Sequence, residues 1–240
     1  MRFYIYSAGY NCAQYVSKCI ASVQSQTFKE YTHVIVDDHS TDETHKVCAS
    51  MRDDRTVLYR TSRNIKWLAA SVDHCRPKDE DVVVCLDLDD WLPDNNVLAR
   101  LADTYAKGYW LTYGQYQMAS KSSIKGHCKA YPEAILRSRD FRKHNFVASH
   151  LRTYKGFLWN KIKRGDFKDW DGKFAEMTYD VAIMMPMMEM CPYGKIRFFE
   201  ESMYVYNDAN PLNDHKRSRE LQKKTELWFR SLPKYPELKR

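Results

Sequence analysis

The chain has 240 residues, of which 44% are apolar, so it can bury one substantial hydrophobic core and is expected to form a single domain over residues 1–240. No apolar run approaches the length of a membrane-spanning helix, and the first apolar segment is only as long as a strand, which predicts a soluble, cytoplasmic protein. The seven cysteines show no C-x-x-C spacing, so we interpret them as reduced thiols and not as a zinc site.

The net charge of +7 is unevenly distributed along the chain. Residues 1–100 carry 12 Lys/Arg against 15 Asp/Glu, residues 118–174 carry 14 against 5, and residues 214–240 carry 9 against 4. An acidic first half and a basic second half fit a metal and phosphates held between them. The same distribution also fits a nucleic-acid footprint, which is the rival interpretation.

The first hundred residues alternate between strand-like and helix-like patterns. Predicted strands occupy residues 2–6, 33–36, 56–59 and 82–86, and predicted helices follow them at 11–26, 40–51, 64–75 and 93–108. Strands that alternate with helices through right-handed crossovers form a doubly wound, mostly parallel α/β sheet. Ligands of such sheets bind beyond the carboxyl ends of the strands, so a site is expected there.

Local signals predict where these helices begin and end. After the first strand, Gly9 is free to take an unusual backbone dihedral, and Asn11 is placed as a helix N-cap. After the second strand, the sequence STDE at residues 40–43 matches a capping box. Gly108 is expected to close the fourth helix.

Three carboxylates follow the apolar strand at 82–86. Asp87 and Asp89 are two residues apart and would share one face of the strand, and Asp90 begins the turn. Carboxylates about 5 Å apart repel by roughly 3 kcal/mol per pair at an effective dielectric constant near 20, so a cation is expected beside them. Ligand sets made only of oxygen favour Mg²⁺ or Mn²⁺, and Mg²⁺ typically shares its coordination with nucleotide phosphates.

A second acidic strand end strengthens this interpretation. Alone, an Asp-x-Asp sequence is more often a solvated acidic loop. Asp37 and Asp38, however, end another predicted strand of the same sheet. Two acidic clusters on one rim of the sheet therefore predict a functional site.

Residues beyond 108 are less regular. A strand is predicted at 109–117, a basic loop at 118–148, helices at 149–161, 177–190 and 214–231, and strands at 196–199 and 203–206. His150, Arg152 and Lys155 have helical spacing and could grip an acceptor or a diphosphate, although a solvated basic face is the more ordinary explanation. Thr178 is placed as the N-cap of its helix, with Asp180 in the first turn.

With these features in place, the chain resembles the family 2 glycosyltransferases, which have the GT-A fold. The matching motifs are SAGYN at 7–11, SVQSQTF at 22–28, VDDHSTD at 36–42, LDLDD at 86–90, YD at 179–180 and ESMYVY at 201–206. Each motif is weak alone, whereas their order and spacing are specific. The overall pattern is also similar to glycosyltransferases encoded by large DNA viruses of algae, which would place the protein in the host-cell cytoplasm.

The resemblance implies a binding site for the donor nucleotide sugar. Ala8, Tyr10 and Asp38 would surround the nucleotide base, with Asp38 accepting a hydrogen bond from a base N–H. Asn64 and Lys66 occupy positions where the family makes further contacts to the donor nucleotide or sugar.

The resemblance also implies a metal site. Asp87 would contact the ribose or the metal, and Asp89, with Asp90, would ligate Mn²⁺ or Mg²⁺ on the diphosphate. Asp214 and His215 are candidates for a further metal ligand near the C-terminus.

Asp180 matches the position of the family's catalytic base. The family usually has a second carboxylate immediately before the base, but this chain has Tyr179 there and Glu176 four residues before Asp180. The choice between Asp180 and Glu176 therefore stays open.

The implied function is an inverting, metal-dependent transfer of a hexose from a nucleotide sugar, most commonly a UDP-sugar in this family, to a hydroxyl of a glycan, glycoprotein or lipid-linked acceptor. Because no Q-x-x-R-W motif and no membrane span are found, a non-processive enzyme is expected. Residues 1–108 would form the nucleotide-binding half, 109–213 the acceptor-binding half, and 214–240 a basic C-terminal helix and tail.

Two other functions are consistent with parts of the pattern. A nucleotidyltransferase has a related fold, but the glycine-rich basic loop expected after its first strand is absent. A nucleic-acid-binding protein would use residues 118–174 and the C-terminal helix, yet no helix carries an evident set of base-reading residues, so no nucleic acid is expected. The sequence does not determine the sugar, the nucleoside, the acceptor or the oligomeric state.

Overall fold

The computed structural model describes residues 1–66, 77–213 and 218–240. Its seven strands are β1 (Phe3–Gly9), β2 (Tyr31–Asp37), β3 (Thr56–Arg60), β4 (Val82–Cys85), β5 (Leu111–Met118), β6 (His150–Lys155) and β7 (Ile196–Tyr206). They form one sheet in the order β3-β2-β1-β4-β6-β5-β7. Neighbouring strands are parallel except where β6 pairs antiparallel with β4 and with β5. The predicted α/β fold with a mostly parallel, mixed sheet is confirmed.

Helices cover both faces of this sheet. They are α1 (Val16–Gln24), α2 (Thr44–Met51), α3 (Val97–Ala106), α4 (Glu133–Ser138), α5 (Gly156–Lys161), α6 (Tyr179–Met190) and α7 (Arg219–Ser231), with short 3-10 turns at Phe141–Lys143 and Arg164–Phe167. Among the described residues, no helix is long and apolar enough to cross a membrane.

Strand β4 shows why the sheet has two hydrophobic cores. Val82 and Val84 point to the core that contains the apolar faces of α1 and α3, whereas Val83 and Cys85 point to the core beneath α5, α6 and α7. All four side chains are buried, because successive strand residues alternate between faces and both faces are covered. The unbroken apolar run at 82–86 is thus explained by burial on both sides.

The N-terminal caps predicted for the first two helices were wrong, because contacts between loops replace them, whereas Gly108, with a φ of 87°, follows the end of α3 as predicted. Asn11 does not cap α1; it has a positive φ of 51°, and its Oδ1 accepts the N–H of Thr41 at 2.8 Å. The side chain of Glu43 makes no cap bond to α2. Gly9 lies within β1, where an added Cβ would come within 2.8 Å of the Cβ of Leu88, so close packing is what requires glycine there.

The predicted helix over 149–161 is half wrong. Residues His150–Lys155 form β6, and only Gly156–Lys161 are helical. The strand is stabilised by ladders to β4 and β5 on its two sides, which no local pattern reveals. His150 and Arg152 therefore share one face, and Lys155 points the other way and donates from Nζ to the carbonyl of Glu80 at 2.8 Å.

Four further predictions differ from the structure in extent. Strand β7 is continuous over both predicted late strands, with register shifts against β5. Part of the predicted loop at 118–148 forms α4 and a 3-10 turn. Residues 64–66 of the predicted third helix are irregular, and its remainder from residue 67 lies outside the described residues. The C-terminal helix begins at Arg219, and its predicted start at 214–217 also lies outside them.

A buried ion pair ties α6 to the elements beside it. Glu189 on α6 is fully buried and accepts from Arg142 at Nε (2.7 Å) and Nη2 (3.0 Å). The same carboxylate accepts the N–H of Tyr235 at 3.0 Å, and Arg142 also donates to the carbonyl of Phe229. This pair joins α6, α7 and the C-terminal tail.

Replacing Arg142 by Met should therefore lower the free energy of unfolding by about 3–5 kcal/mol, because the carboxylate of Glu189 would stay buried without its cation. Arg137→Met is the matched control: Arg137 pairs with Glu133 on the surface, where both side chains are more than half exposed, and its loss should lower the free energy of unfolding far less. Urea unfolding followed by circular dichroism measures both. Equal unfolding midpoints for the two variants would contradict the role given to Glu189.

Candidate active site

An open cleft of about 1140 Å³ contains the carboxyl ends of the central strands. It lies where the strand order reverses between β1 and β4, the usual ligand position in doubly wound sheets. All the residues singled out in the sequence for donor, metal and base line this one cleft: Ala8, Tyr10, Asp38, Asn64, Lys66, Asp87, Asp89, Asp90 and Asp180. Their individual roles stay predictions. Asp214 and His215 lie outside the described residues.

Asp38, directly after β2, holds one wall of the cleft in place. Its carboxylate accepts the backbone N–H groups of Ile65 (3.0 Å) and Lys66 (2.9 Å) and the hydroxyl of Thr61 (3.0 Å). These bonds position the segment that carries Asn64 and Lys66. A base N–H would have to share an oxygen with them, which the two lone pairs of each carboxylate oxygen allow.

Lys66 and Glu176 pair across the cleft. Lys66 has a positive φ of 58°, and the Asp38 carboxylate holds its backbone. The Nζ of Lys66 lies 3.0 and 3.2 Å from the two carboxylate oxygens of Glu176, although the residues are 110 positions apart. Both side chains are about half exposed. Because Glu176 already binds a cation at the mouth of the cleft, it is the poorer candidate for the base.

Arg152 supplies the cation that the acidic strand end requires. It is 3% exposed, and its Nη2 lies 3.4 Å from each carboxylate oxygen of Asp87. The hydroxyl of Tyr179 donates to Asp87 at 2.6 Å, and the guanidinium lies over the Tyr179 ring at 5.3 Å. Burial, together with Asp87, raises the pKa of Tyr179 well above its ordinary value, so the phenol stays protonated and remains a donor. One cation beside Asp87 is thus a side chain of the protein, and the predicted metal ion stays a prediction.

Asp89 and Asp90 have different surroundings. Asp89 accepts from the Nδ2 of Asn210 at 2.6 Å, and burial, aided by the charge of Asp87, raises the pKa of Asp89 to about 6. Asp90 is 1% exposed and bonded on both oxygens, by the hydroxyl of Tyr204 at 2.5 Å and the N–H of Asn207 at 2.6 Å. Asp90 therefore anchors the end of β7, and its role as a metal ligand stays a prediction.

The cleft offers few carboxylates to a divalent cation. Within residues 1–66, 77–213 and 218–240, no three Asp, Glu, His or Cys side chains are gathered as a metal site. Asp89 lines the cleft with a raised pKa, so its ionised form would gain from a nearby cation. One or two carboxylates completed by phosphate oxygens are enough for Mg²⁺, so Asp89 and Asp87 fit an ion carried with a nucleotide.

Asp180 lies in the first turn of α6, beside Tyr179. Its Oδ1 accepts the N–H of Val181 at 2.9 Å. Burial raises the pKa of Asp180, and the charge of Arg152 opposes that shift. A raised pKa makes the carboxylate a stronger base. The predicted N-cap Thr178 makes no cap bond; its hydroxyl donates to the carbonyl of Gln222 at 3.2 Å.

Sequence reasoning missed two further walls of the cleft. An aromatic wall comes from the ends of β5, β6 and β7 and the loop between β5 and β6; its members are Tyr116, His127, His150 and Tyr206. His150 stacks on Tyr204 at 4.4 Å, and its burial lowers its pKa well below the ordinary value, so the imidazole is neutral. The other wall is α7, through Gln222 and Glu226. The Tyr-x-Tyr at the end of β7 was a usable signal for the first wall, and nothing local marked the second.

Comparison with known proteins gives a consistent result. The family described as glycosyl transferase family 2 matches residues 8–158. Glycosyltransferase GlyA of Streptococcus pneumoniae serotype 4 is 32% identical over 212 residues, which are 82% of this chain and 29% of GlyA. The Escherichia coli protein WfaP, a UDP-Glc:alpha-D-GlcNAc-diphosphoundecaprenol beta-1,3-glucosyltransferase, is 26% identical over 128 residues, which are 52% of this chain and 50% of WfaP.

Solved structures show the same fold. TarS of S. aureus superposes with a TM-score of 0.65 at 16% identity, covering 86% of this chain and 37% of TarS. The mannosyltransferase PcManGT from Pyrobaculum calidifontis, in complex with GDP-Man and Mn²⁺, gives 0.58 at 18% identity, covering 95% of this chain and 62% of PcManGT. The chain spans less than two thirds of the length of each of these four proteins. The match over more than half of its residues shows that this chain belongs to glycosyltransferase family 2 and has the GT-A fold.

Proposed function

We propose that this protein is an inverting, non-processive glycosyltransferase that moves a hexose from a nucleotide sugar to a hydroxyl of an acceptor. One observation carries the proposal: the residues implied for donor, metal and base are spread over 170 positions of sequence and line a single cleft. Family membership supplies the class of chemistry.

A UDP-sugar is the donor we propose. TarS has been solved in complex with UDP-GlcNAc, and the name of WfaP specifies UDP-Glc, whereas PcManGT was solved with GDP-Man. Ala8 and Tyr10 at the end of β1 and Asp38 after β2 would surround the base. Asn64 and Lys66, positioned by Asp38, would contact the donor from the same side.

Asp89, with Asp87 beside it, would hold a divalent cation together with the donor diphosphate. When bound, such an ion neutralises the charge that develops on the departing diphosphate. Asp87 is already oriented by Arg152 and Tyr179, so its carboxylate is held in place before the donor arrives.

Asp180 would act as the general base. Its carboxylate takes the proton of the acceptor hydroxyl as that oxygen bonds to the anomeric carbon, and the bond from that carbon to the diphosphate oxygen breaks on the opposite face. The single displacement inverts the anomeric centre. Arg152 contributes a fixed positive charge beside Asp87 and near Asp180, within a largely buried site.

The charge of the cleft disfavours a nucleic acid as the ligand. Its acidic lining residues are Asp38, Asp87, Asp89, Asp90, Glu176, Asp180 and Glu226, against the cations Lys66 and Arg152. Seven acids against two cations would repel a phosphate backbone. The proposed acceptor is therefore a hydroxyl of a glycan, glycoprotein or lipid-linked sugar, and the name of WfaP offers one precedent for a lipid diphosphate carrier. The resemblance to viral proteins stays a prediction.

The experiment that tests the donor is a thermal-shift panel of UDP- and GDP-sugars with and without Mn²⁺. A ligand at about 100 times its Kd stabilises the native state by about 2.7 kcal/mol, so the right donor should raise the melting temperature clearly. Asp89→Ala should remove the Mn²⁺-dependent part of that rise. A panel in which no nucleotide sugar shifts the melting temperature would contradict the proposal, and an unchanged shift in Asp89→Ala would contradict the metal role.

Asp180→Asn should abolish transfer while donor binding survives, since the amide cannot accept the hydroxyl proton. Glu176→Gln is the matched control and should keep most turnover, because Glu176 forms an ion pair with Lys66. Sugar-transfer rates of both variants report whether the general base is lost, and calorimetry reports whether the donor still binds. Full turnover in Asp180→Asn, with loss of turnover in Glu176→Gln, would show that Glu176 is the general base instead.

Asp89→Asn should stabilise the metal-free protein near neutral pH. Because the pKa of Asp89 is raised from 3.8 to about 6, the native state holds this proton more tightly than the unfolded chain, so stability falls as pH rises from 3.8 through 6. A shift of that size corresponds to at most about 3 kcal/mol. With EDTA present, the variant should melt above the parent at about pH 7.5 and equal to it near pH 4. A variant that melts below the parent at both pH values would show that Asp89 is not strained by burial.

A further inference from the structure

The segment 168–174 and the outer face of α7 form one aromatic and basic surface. The segment is a hairpin in which Lys168 pairs with Phe174. The indole Nε1 of Trp228 on α7 donates to the carbonyl of Lys168 at 2.8 Å, and the rings of Trp170 and Trp228 meet edge to face at 6.5 Å. The Nζ of Lys224 lies over the Trp170 ring at 3.8 Å.

This surface leaves apolar groups in solvent. Leu227 is 58% exposed and Phe174 is 44% exposed, while Trp170 and Trp228 are partly exposed. We call the six residues the tryptophan patch: Lys168, Trp170, Phe174, Lys224, Leu227 and Trp228. Single exposed apolar residues are ordinary, but four on contiguous elements are more typical of a contact surface.

The hairpin of the patch also contains Asp169 and Asp171, but neither carboxylate forms an ion pair with a lysine of the patch, and the Asp169 carboxylate accepts backbone N–H groups of the hairpin. Within the parts of the chain that the structure describes, neither Lys168 nor Lys224 has a carboxylate within ion-pair distance, and the same holds for Lys173 and Lys223 beside them. All four ammonium groups belong to exposed residues. The partner that complements such a surface is anionic and has an apolar layer beneath its charge.

Helix α7 places this patch close to the cleft. Gln222 and Glu226 line the cleft, and the carbonyl of Gln222 accepts from Thr178 near Asp180. Lys224, Leu227 and Trp228 lie on another face of the same helix, because residues three and four apart share a face. A helix is about 10–12 Å across with its side chains, so that distance separates the patch from the cleft wall.

We propose that the tryptophan patch binds the surface of an anionic lipid membrane. Trp, Phe and Leu side chains enter the boundary between headgroups and acyl chains, while lysine ammonium groups attract the acidic headgroups. The geometry favours lipid over single-stranded nucleic acid, since base stacking needs an open aromatic face and Lys224 covers one face of Trp170. Bound in this way, the protein presents α7 and the adjoining cleft wall to acceptors at the membrane. The proposal does not depend on the reaction proposed above.

Sedimentation with sucrose-loaded vesicles tests the proposal. The protein should bind phosphatidylcholine vesicles that contain about one third phosphatidylserine, should not bind pure phosphatidylcholine vesicles, and should be released as salt screens the charges. Lys168→Glu with Lys224→Glu should weaken binding at least about tenfold, because each lysine near an anionic surface contributes about fivefold. Phe174→Ser with Leu227→Ser should weaken binding while lowering the melting temperature much less than loss of a core side chain would, since the two residues are 44% and 58% exposed.

Matched controls use other elements of the fold. Arg52→Glu with Lys107→Glu makes the same change in net charge, and Val57→Ser with Ile124→Ser removes apolar groups of similar exposure. Both control pairs should bind vesicles like the parent. Absence of binding to anionic vesicles, equal losses in patch and control variants, or retention by RNA or DNA oligonucleotides without vesicle binding would each overturn the proposal. Quenching of tryptophan fluorescence by brominated lipid, weakened in Trp170→Phe, would support it independently of sedimentation.

Discussion

A buried guanidinium beside a carboxylate holds this protein's cleft together. Asp87 follows β4 in the parallel half of the sheet, Arg152 lies on the antiparallel strand β6, and Tyr179 begins α6. Their contacts therefore join three elements at the point where the strand order reverses. A buried charge that loses its partner typically costs 3–5 kcal/mol, so any arrangement of these elements that separates Arg152 from Asp87 is strongly disfavoured. The same contacts set the position of Asp180, which follows Tyr179 in the chain.

Neighbouring acidic residues in the cleft make different interactions and have different roles. Asp38 and Asp90 are almost fully buried, and their oxygens accept hydrogen bonds from backbone and hydroxyl donors, so they fix the segments after β3 and β7. Asp89 keeps a raised pKa at the cleft surface, so its ionised form would gain from a nearby cation. Proximity in sequence does not predict these different roles. Each carboxylate accepts hydrogen bonds from the donors that lie where its side chain points, and neighbouring side chains point in different directions.

The C-terminal third of the chain supplies cleft residues that lie outside the family match. The match ends at residue 158, whereas Asp180, Gln222 and Glu226 all line the cleft. The buried ion pair of Arg142 with Glu189 joins α6 to α7, and Phe229 of α7, which is 1% exposed, packs in the core between these helices and the sheet. One face of α7 thus belongs to the cleft, and another carries the tryptophan patch. Binding to a surface and access to the cleft would then depend on the same helix.

The sequence alone determined the alternating strands and helices of the first half and the sheet edge on which the acids lie. Those inferences depend on apolar periodicity and on the rule that parallel strands end together, both of which are local or topological. Only the tertiary structure decided that 150–155 is a strand, that Arg152 neutralises Asp87, that Asp90 is turned to Tyr204, and that α7 closes the cleft. Each of these depends on contacts between residues 36 or more positions apart or on the docking of whole elements, and such contacts leave no periodic trace in the chain.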